Sequence, residues 1–193
     1  MTLWEKVVEF HGHACCILAV GYRAATLALE KLGPLAGDDR LAAVVETVDC
    51  STDAVQVVLR CTLGSRRLLV RERGKYAFTV ARPGKAVRLA LKPGVIARYG
   101  AGFAALMEKV ANGIASPGEK EHFNSLQQPL MDYIMQAPAE ELFNCRQVSF
   151  NMSGPGFNFS SVVCEICGEE VFTNFVLSRE GKHICLDCAG EVT

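Results

Sequence analysis

Apolar side chains near the start of the chain recur at helical spacing. Steps of four and three residues place them on one face of a helix predicted over 15–32, formed by Leu18, Tyr22, Ala25, Leu29 and Leu32. Gly33-Pro34 is expected to end this helix. A shorter helix is predicted before it over 3–10, and another after it over 54–63, behind a run of capping residues that starts at Asp49.

The middle of the chain carries short apolar runs separated by turn residues. Such runs are typical of strands, and they occur at 41–48, 67–72, 75–81, 85–91 and 145–150. Gly74 and Pro83-Gly84 supply turn signals between consecutive runs. The almost unbroken apolar character of the first run indicates a buried strand.

Two further helices are predicted before the last strand. The first covers 103–114. The second starts after Ser116, an N-cap that is followed by a proline in the first turn and by a glutamate three residues later. Pro129 lies inside the second helix and is expected to kink or split it.

The glycine-rich and polar segment 151–158 marks the clearest boundary in the chain. The order of elements before it, helices then strands then helices, is typical of an α+β fold. We therefore predict a core domain of helices and antiparallel strands over 1–152, followed by a small module over 153–193.

Composition places the chain among globular proteins. Half of its 193 residues are apolar and 21% are charged, which provides material for a core and excludes a disordered chain. The net charge of −1 excludes a globally basic nucleic-acid-binding protein. No apolar run approaches the ~18 residues that span a bilayer, and the first residues do not resemble an export signal. We therefore expect a cytoplasmic protein without a membrane segment.

Nine cysteines are many for a chain of this length. Because cytoplasmic thiols stay reduced, we expect metal ligands or reactive groups instead of disulfides. Two Cys-x2-Cys pairs separated by seventeen residues have the spacing of a four-cysteine zinc site: Cys164, Cys167, Cys185 and Cys188. Four thiolates complete a tetrahedron, so this Zn²⁺ is predicted to be structural, and four incidental reduced cysteines are the alternative.

The charge of the C-terminal module bears on its partners. Residues 160–193 carry two basic and six acidic side chains, a net charge of −4. Since phosphate backbones attract positive charge, binding of nucleic acid is disfavoured, and with it a role in transcription. A structural role or contact with another protein is favoured. His183 lies between the two cysteine pairs and is expected to be a bystander, because four thiolates already suffice.

A second group of candidate ligands lies where the long helix starts. His11, His13 and Cys15 are close in sequence, and Cys50 stands in the same relation to the next helix. A helix N-terminus lowers the pKa of a thiol and favours the thiolate that binds metals. These residues predict a transition-metal site with a position left for water or substrate. The alternative is structural: capping or hydrogen-bonding histidines and small cysteines of the core.

The segment 65–98 is strongly basic, with ten lysines and arginines against one glutamate. Alternate residues of a strand face opposite sides, so Arg71, Arg73 and Lys75 are expected to share a face. A solvated outer face of the sheet would account for this charge. The alternative is a site for an anionic ligand, such as a phosphorylated cofactor or a carboxylate substrate.

Several short motifs together resemble the FmdE family, named for the E component of formylmethanofuran dehydrogenase. The resemblance covers roughly residues 8–90, and the four-cysteine tail is like the zinc finger of many members. The motifs are Phe-His-Gly-His-x-Cys at 10–15, Gly-Tyr-Arg at 21–23, Val-Glu-Thr-Val-Asp-Cys at 45–50, Asp-Ala-Val-Gln at 53–56, Cys-Thr at 61–62 and Gly-Lys at 74–75.

The resemblance implies an α+β core, a homodimer and a place beside molybdenum or tungsten enzymes. By position, it implies one set of metal-site candidates: His11, His13, Cys15, Cys50 and Cys61. It also favours Lys75 and Arg88 as ligands of the anion. Where the family usually has Pro-Gly after the motif cysteine, this chain has Cys16-Ile17, so the local geometry of the site is open. The apolar surroundings of Cys61 favour a core position instead.

Two functions remain open from the sequence. The first is a metal-dependent protein like the E component of formylmethanofuran dehydrogenase, supported by the histidines, the cysteines and the basic segment. The second is a non-catalytic zinc-finger adaptor that contacts another protein, supported by the closed four-cysteine site and its acidic surroundings. Neither a P-loop nor a Gly-x-Gly-x-x-Gly motif is present, so nucleotide hydrolysis and dinucleotide redox chemistry lack a motif. Whether the chain is an enzyme stays undecided.

Overall fold

The computed structural model describes residues 1–34, 40–99, 101–150 and 159–190. The chain divides into two compact units, Met1–Met152 and Ser153–Thr193, and each is described by itself. The predicted linker over 151–158 lies outside the described residues. Within the described ranges, no helix combines the length and apolar character needed to cross a membrane.

Helices flank the strands of the first unit in sequence. Their bounds are α1 Leu3–His11, α2 Cys16–Leu32, α3 Cys50–Leu59, α4 Ala101–Ala111, α5 Pro117–Gln136 and α6 Ala139–Leu142, with a 3-10 turn over Ile96–Tyr99. A capping box starts α1, in which the Glu5 N–H donates to Thr2 Oγ1 and the Thr2 N–H donates to Glu5 Oε2. The chain leaves α1 through Gly12, whose φ of 95° suits glycine.

In the described part of the first unit, strands form a mixed sheet in the order β2-β1-β3-β4-β5. Their bounds are β1 Ala42–Val45, β2 Leu68–Val70, β3 Ala77–Arg82, β4 Lys85–Leu91 and β5 Phe143–Val148. β1 and β2 run parallel, with α3 as the crossover between them, and the other neighbours are antiparallel. The α+β prediction is confirmed, with one parallel pair that the sequence did not indicate.

The core of the first unit is built around α2. This helix packs against α3, α5 and the strands β3 and β4, and its Leu18 and Val20 have no exposed surface. One face of the sheet joins this core through side chains such as Phe78 and Leu89. Alternate residues on the same strands point to the opposite face. That second face carries the row Val44, Thr79, Arg88 and Arg146, which are neighbours in the strand register.

The third helix begins earlier than predicted. It starts at Cys50 because Asp49 caps it: Asp49 Oδ1 accepts the Ser51 N–H at 2.8 Å, and Asp49 Oδ2 accepts the Thr47 hydroxyl at 2.9 Å. The side chain of Asp49 thus extends the helix by four residues beyond the predicted start at residue 54. Cys50 becomes the first residue of α3.

The expectation that Pro129 splits the fifth helix is wrong, because α5 runs uninterrupted through it. Proline in a helix interior removes one hydrogen bond and costs ~3 kcal/mol. The neighbouring side chains Leu130 and Ile134 have no exposed surface. Burial of two such side chains contributes ~1.5–3 kcal/mol each, which offsets the cost of the proline.

The second unit consists of two small hairpins. Their strands are β6 Ser161–Val163 with β7 Glu170–Phe172, and β8 Val176–Arg179 with β9 Lys182–Cys185. Among its described residues, the buried cluster contains only Cys164, Ile184 and Cys185. So small a core does not stabilise a fold of this size, and a bound metal ion is the usual supplement.

Candidate metal centres

The four cysteines of the second unit lie together. Their sulfur atoms are all within 4.8 Å of one another. The sulfurs of Cys167 and Cys185 are 3.9 Å apart, close to the ~3.8 Å that separates two thiolates on one tetrahedral Zn²⁺. Each pair lies in a tight turn, closed by the Gly168 N–H on the Cys164 carbonyl and by the Ala189 N–H on the Cys185 carbonyl. The arrangement fits a zinc finger.

Backbone N–H groups point at the sulfur atoms of this cluster. The Cys185 N–H donates to Cys164 Sγ and the Cys188 N–H donates to Cys185 Sγ, both at 3.4 Å. The Cys185 N–H, together with those of Cys167 and Ile166, lowers the pKa of Cys164 to about 6. The hydrogen bond with Cys185 raises the pKa of Cys188 to about 12. Thiols crowded in this way lose their protons together only when a cation replaces them, as in a metal site.

A second cluster forms where the first helices meet. α1 ends at His11, Gly12 reverses the chain, and Cys15 becomes the N-cap of α2. α3 packs against both α1 and α2, which brings Cys50 to the same place. One ligand atom each from His11, Cys15 and Cys50 lies within 4.8 Å of the other two.

A carboxylate orients the ring of His11. His11 Nδ1 donates to Asp53 Oδ2 at 2.8 Å, across 42 positions of sequence. His11 Nε2 is buried and has no hydrogen-bond partner in the described part of the chain. Buried polar atoms nearly always have a partner, and a metal-ligating histidine usually donates its other N–H to a carboxylate. The orphaned nitrogen therefore fits a metal ion bound with the two thiols.

Hydrogen bonds shift the pKa values of the three groups in this cluster. A hydrogen bond from the Cys50 thiol, helped by the Leu18 N–H at 3.3 Å from Cys15 Sγ, outweighs burial and lowers the pKa of Cys15. The same contact with Cys15, together with burial, raises the pKa of Cys50. Burial disfavours protonation of His11, but the hydrogen bond to Asp53 and the charge of Cys50 more than compensate and raise its pKa. Cys15 is thus the more acidic thiol of the pair, and a metal ion would replace the proton of Cys50.

The close approach of α2 and α3 sets the separation of the two thiols. A Cβ atom on Gly21 would lie 2.2 Å from the carbonyl oxygen of Ser51 and 2.6 Å from its Cα. Only glycine fits at this position. Because Ser51 follows Cys50 and Gly21 lies on the helix that Cys15 caps, this contact positions the site.

Other predicted ligands lie outside the cluster of three. His13 is exposed, with its ring centroid 4.6 Å from that of His11. Cys61 is buried, its thiol donates to the Leu41 carbonyl at 3.2 Å, and burial raises its pKa to about 11. These features are those of a core cysteine, as its apolar surroundings indicated. Cys16-Ile17 leave the start of α2 intact, since both side chains are buried in the core.

The two residues predicted to bind an anion differ in their partners. Arg88 is engaged by Glu46: its Nε and Nη2 donate to the two carboxylate oxygens at 2.8 and 2.9 Å. That ion pair lowers the pKa of Glu46. Lys75 is exposed and makes no side-chain hydrogen bond with the described residues. The geometry thus leaves Lys75, and not Arg88, free for an external anion.

Sequence reasoning gave Asp53 no role. Two features of the sequence could have indicated that Asp53 lies near the site. It belongs to the motif Asp-Ala-Val-Gln, and it follows Cys50 by three residues, which puts both on one side of a helix. What the sequence could not supply is the contact with His11. In the second unit, His183 lies on β9 outside the sulfur cluster, with its backbone N–H bonded to Glu165.

These observations define a class of protein: an α+β fold with a cluster of potential metal-binding cysteines in a second, small unit. The sequence model of the FmdE family, described as "FmdE, Molybdenum formylmethanofuran dehydrogenase operon", matches residues 10–144. The chain belongs to this family, as its motifs indicated.

Two known proteins are similar over almost the whole chain. A "Probable S-adenosyl-L-methionine-binding protein" of Archaeoglobus fulgidus is 34% identical, over 96% of this chain and 52% of its own length. The chain therefore spans about half the length of that relative. A crystal structure of an FmdE-like protein of the tungsten formylmethanofuran dehydrogenase type, from Syntrophus aciditrophicus, superposes with a TM-score of 0.64 at 22% identity, covering 96% of this chain and 89% of that one. At this identity the second likeness establishes the shared fold.

Proposed function

We propose that the chain is a metal-binding protein that holds two ions. One is a transition metal ion at His11, Cys15 and Cys50, and the other is a structural Zn²⁺ at the four cysteines of the second unit. The observation that carries the first site is the buried, unpartnered Nε2 of His11, whose ring is oriented by Asp53 through Nδ1. The paired-turn geometry of four sulfurs supports the second.

The two sites differ in whether they leave a coordination position of the metal ion open. Four thiolates complete a tetrahedron and leave no position for a substrate. His11, Cys15 and Cys50 supply three ligands, so a four-coordinate ion would keep one position for water or a small molecule. When bound there, the ion would supply Lewis-acid or electron-transfer chemistry. One imidazole and two thiolates suit zinc, copper or iron. His11, Cys15 and Cys50 would hold the ion, and Asp53 orients the imidazole ring. Gly21 lets α2 and α3 approach closely and so sets the separation of the two thiols.

We further propose that this site works beside molybdenum or tungsten enzymes. The family description, which refers to a molybdenum formylmethanofuran dehydrogenase operon, supports this association. The proposed location is the cytoplasm, where thiols that hold metal ions stay reduced. The proposed assembly is a homodimer, which rests on membership of the family. Light scattering is expected to give twice the mass of one chain at micromolar concentration, and a monomer mass would contradict it.

A second candidate function is that of a non-catalytic adaptor. It is favoured by exposed apolar side chains on the small second unit, between 46% and 73% accessible: Phe159, Val163, Ile166, Phe172 and Phe175. Exposed apolar groups concentrated on so small a unit are typical of a protein-binding surface. In this alternative the zinc ion shapes the surface, and the cluster of His11, Cys15 and Cys50 has no ion to hold.

Titration with Co²⁺ distinguishes the two candidates, because thiolate-bound Co²⁺ has an intense absorption. We expect Cys50→Ala to abolish one of two binding events. Asp53→Asn is expected to weaken the same event by about 10–100-fold, since the residue that orients a histidine ligand has effects of this size. Cys145→Ala is the control, because Cys145 is exposed on β5 and lies outside both clusters. If Cys50→Ala and Cys145→Ala bind Co²⁺ as the unaltered protein does, the first site is absent and the adaptor function is favoured.

A further inference from the structure

We propose that the first unit carries a second ligand site, for a phosphorylated small molecule, on the face of the sheet turned away from its helices. A cavity of about 370 Å³ opens there. Its floor is the strand row Val44, Thr79 and Arg88, and its charged wall is formed by Arg71, Arg73 and Lys75. The volume lies in the range of small-molecule sites. This inference does not depend on the metal sites.

The charged wall is held rigidly by the backbone. After β2 the chain continues alongside the end of β1: the Arg71 N–H donates to the Val45 carbonyl at 2.9 Å, and the N–H groups of Arg73 and Lys75 donate to the Glu46 carbonyl at 2.9 and 3.2 Å. Gly74, with a φ of 61°, bends the chain between Arg73 and Lys75, so that the N–H groups of both residues reach the same carbonyl. All three cationic residues line the one cavity, on a segment whose backbone is already hydrogen-bonded to the end of β1.

The positive charge of this wall is not neutralised within the described residues. Glu46 is the only carboxylate among the residues that line the cavity; both its oxygens accept from Arg88, and its charge also acts on Lys75 and Arg73. Arg71 and Lys75 make no side-chain hydrogen bond or ion pair in the described ranges, and Arg73 donates only to the carbonyl of Glu72. Four cationic side chains and one carboxylate line the cavity, and this excess of three positive charges favours a group that carries two negative charges and several acceptor oxygens. A phosphate group meets that requirement, with the planar guanidinium forks matching its oxygens.

The strand register adds a further cation near this cavity. Arg146 on β5 lies directly opposite Arg88 on β4, on the same face of the sheet. Like charges directly opposite each other on neighbouring strands are destabilising. Glu46 compensates only one of the two. In the part of the chain that the structure describes, no carboxylate pairs with Arg146, so an anion from solution would relieve the repulsion.

The remaining wall of the cavity supplies apolar surface for the other half of the ligand. Val148 and Phe150 lie on it, on either side of Ser149. An aromatic ring beside a cationic wall suits a ligand with a planar ring at one end and a phosphate at the other. Adenosine monophosphate combines both groups, adenosine supplies the ring alone, and inorganic phosphate supplies the anion alone.

Isothermal titration calorimetry of the full chain with these three probes tests the proposal. We expect AMP to bind more tightly than inorganic phosphate, and adenosine to bind at least about tenfold more weakly than AMP. Arg71→Gln combined with Lys75→Gln is expected to weaken AMP binding by at least tenfold, since each charged hydrogen bond contributes roughly that factor. Lys120→Gln, an exposed lysine on α5, is the matched control and is expected to leave the affinity unchanged.

Three results would overturn the assignment. The first is an unaltered protein that binds no AMP at millimolar concentration. The second is an affinity that falls equally in the Lys120→Gln control, which indicates non-specific attraction to surface charge. The third is adenosine binding as tightly as AMP, which removes the phosphate from recognition. Melting curves of the double variant check that it stays folded, which is expected because both side chains are exposed.

Discussion

Replacing Cys185 by serine is expected to unfold the second compact unit while the first unit stays folded. Cys185 is one of the few buried residues of the small unit, its sulfur lies 3.9 Å from that of Cys167, and its N–H donates to Cys164 Sγ. Structural zinc contributes about 10–16 kcal/mol to the folding of small modules at neutral pH. Because so few side chains are buried in the second unit, loss of one zinc ligand is expected to remove most of the free energy that stabilises its fold.

Limited proteolysis read by mass spectrometry measures this effect. We expect cleavage throughout 159–190 in the Cys185→Ser variant and in the chelator-treated protein, with residues 1–150 resistant in both. Cys145→Ser serves as the matched variant, since it removes an exposed cysteine outside the sulfur cluster. A Cys185→Ser protein whose second unit resists protease as the unaltered chain does would show that the fold needs no metal.

Replacing Gly21 by alanine is expected to destabilise the first unit by roughly 3 kcal/mol, the upper part of the range for overpacked cores. The added methyl group would meet the backbone of Ser51 at 2.2 to 2.7 Å, and backbone does not move aside as a flexible side chain does. A loss of stability would be diagnostic of this close packing, because alanine in a helix is intrinsically favoured over glycine by ~1 kcal/mol. The helices α2 and α3 must separate, so metal binding by Cys15 and Cys50 is expected to weaken as well.

Urea denaturation followed by the single tryptophan, Trp4, measures the change in free energy of unfolding. Trp4 contacts Tyr22 on α2, with ring centroids 5.2 Å apart, so its fluorescence reports on the packing around this helix. Gly118→Ala is the control, because nothing lies within 4 Å of a Cβ added at that helical position. It is expected to be neutral or stabilising. Equal stability of Gly21→Ala and the unaltered protein would contradict the close packing of α2 on α3.

The sequence predicted the features that depend on neighbouring residues. The helix over residues 15–32 and the hairpin through Pro83-Gly84 follow from periodicity and turn residues, which act over a few positions. The clustering of four cysteines follows from pairs whose spacing closes a turn. The resemblance to the FmdE family, carried by the motifs between residues 8 and 90, is confirmed by the family match.

What the sequence did not predict arises from contacts between distant segments. Asp53 meets His11 and Glu46 meets Arg88, each pair separated by 42 positions. Spacing along the chain carries no information on such pairs until the sheet and helices are assembled. Pro129 is a similar case: burial of its neighbours outweighs the local cost of proline. The parallel pairing of β1 with β2 likewise depends on α3 crossing between them.

The decisive test of the two proposed metal sites is the number and position of metal ions in protein purified without chelators. Elemental analysis combined with anomalous diffraction gives both quantities in one preparation. We expect two ions per chain, one among Cys164, Cys167, Cys185 and Cys188 and one bound by His11 Nε2, Cys15 and Cys50. A single ion confined to the four cysteines, with no anomalous density beside His11 after metal loading, would contradict the proposed site at His11, Cys15 and Cys50.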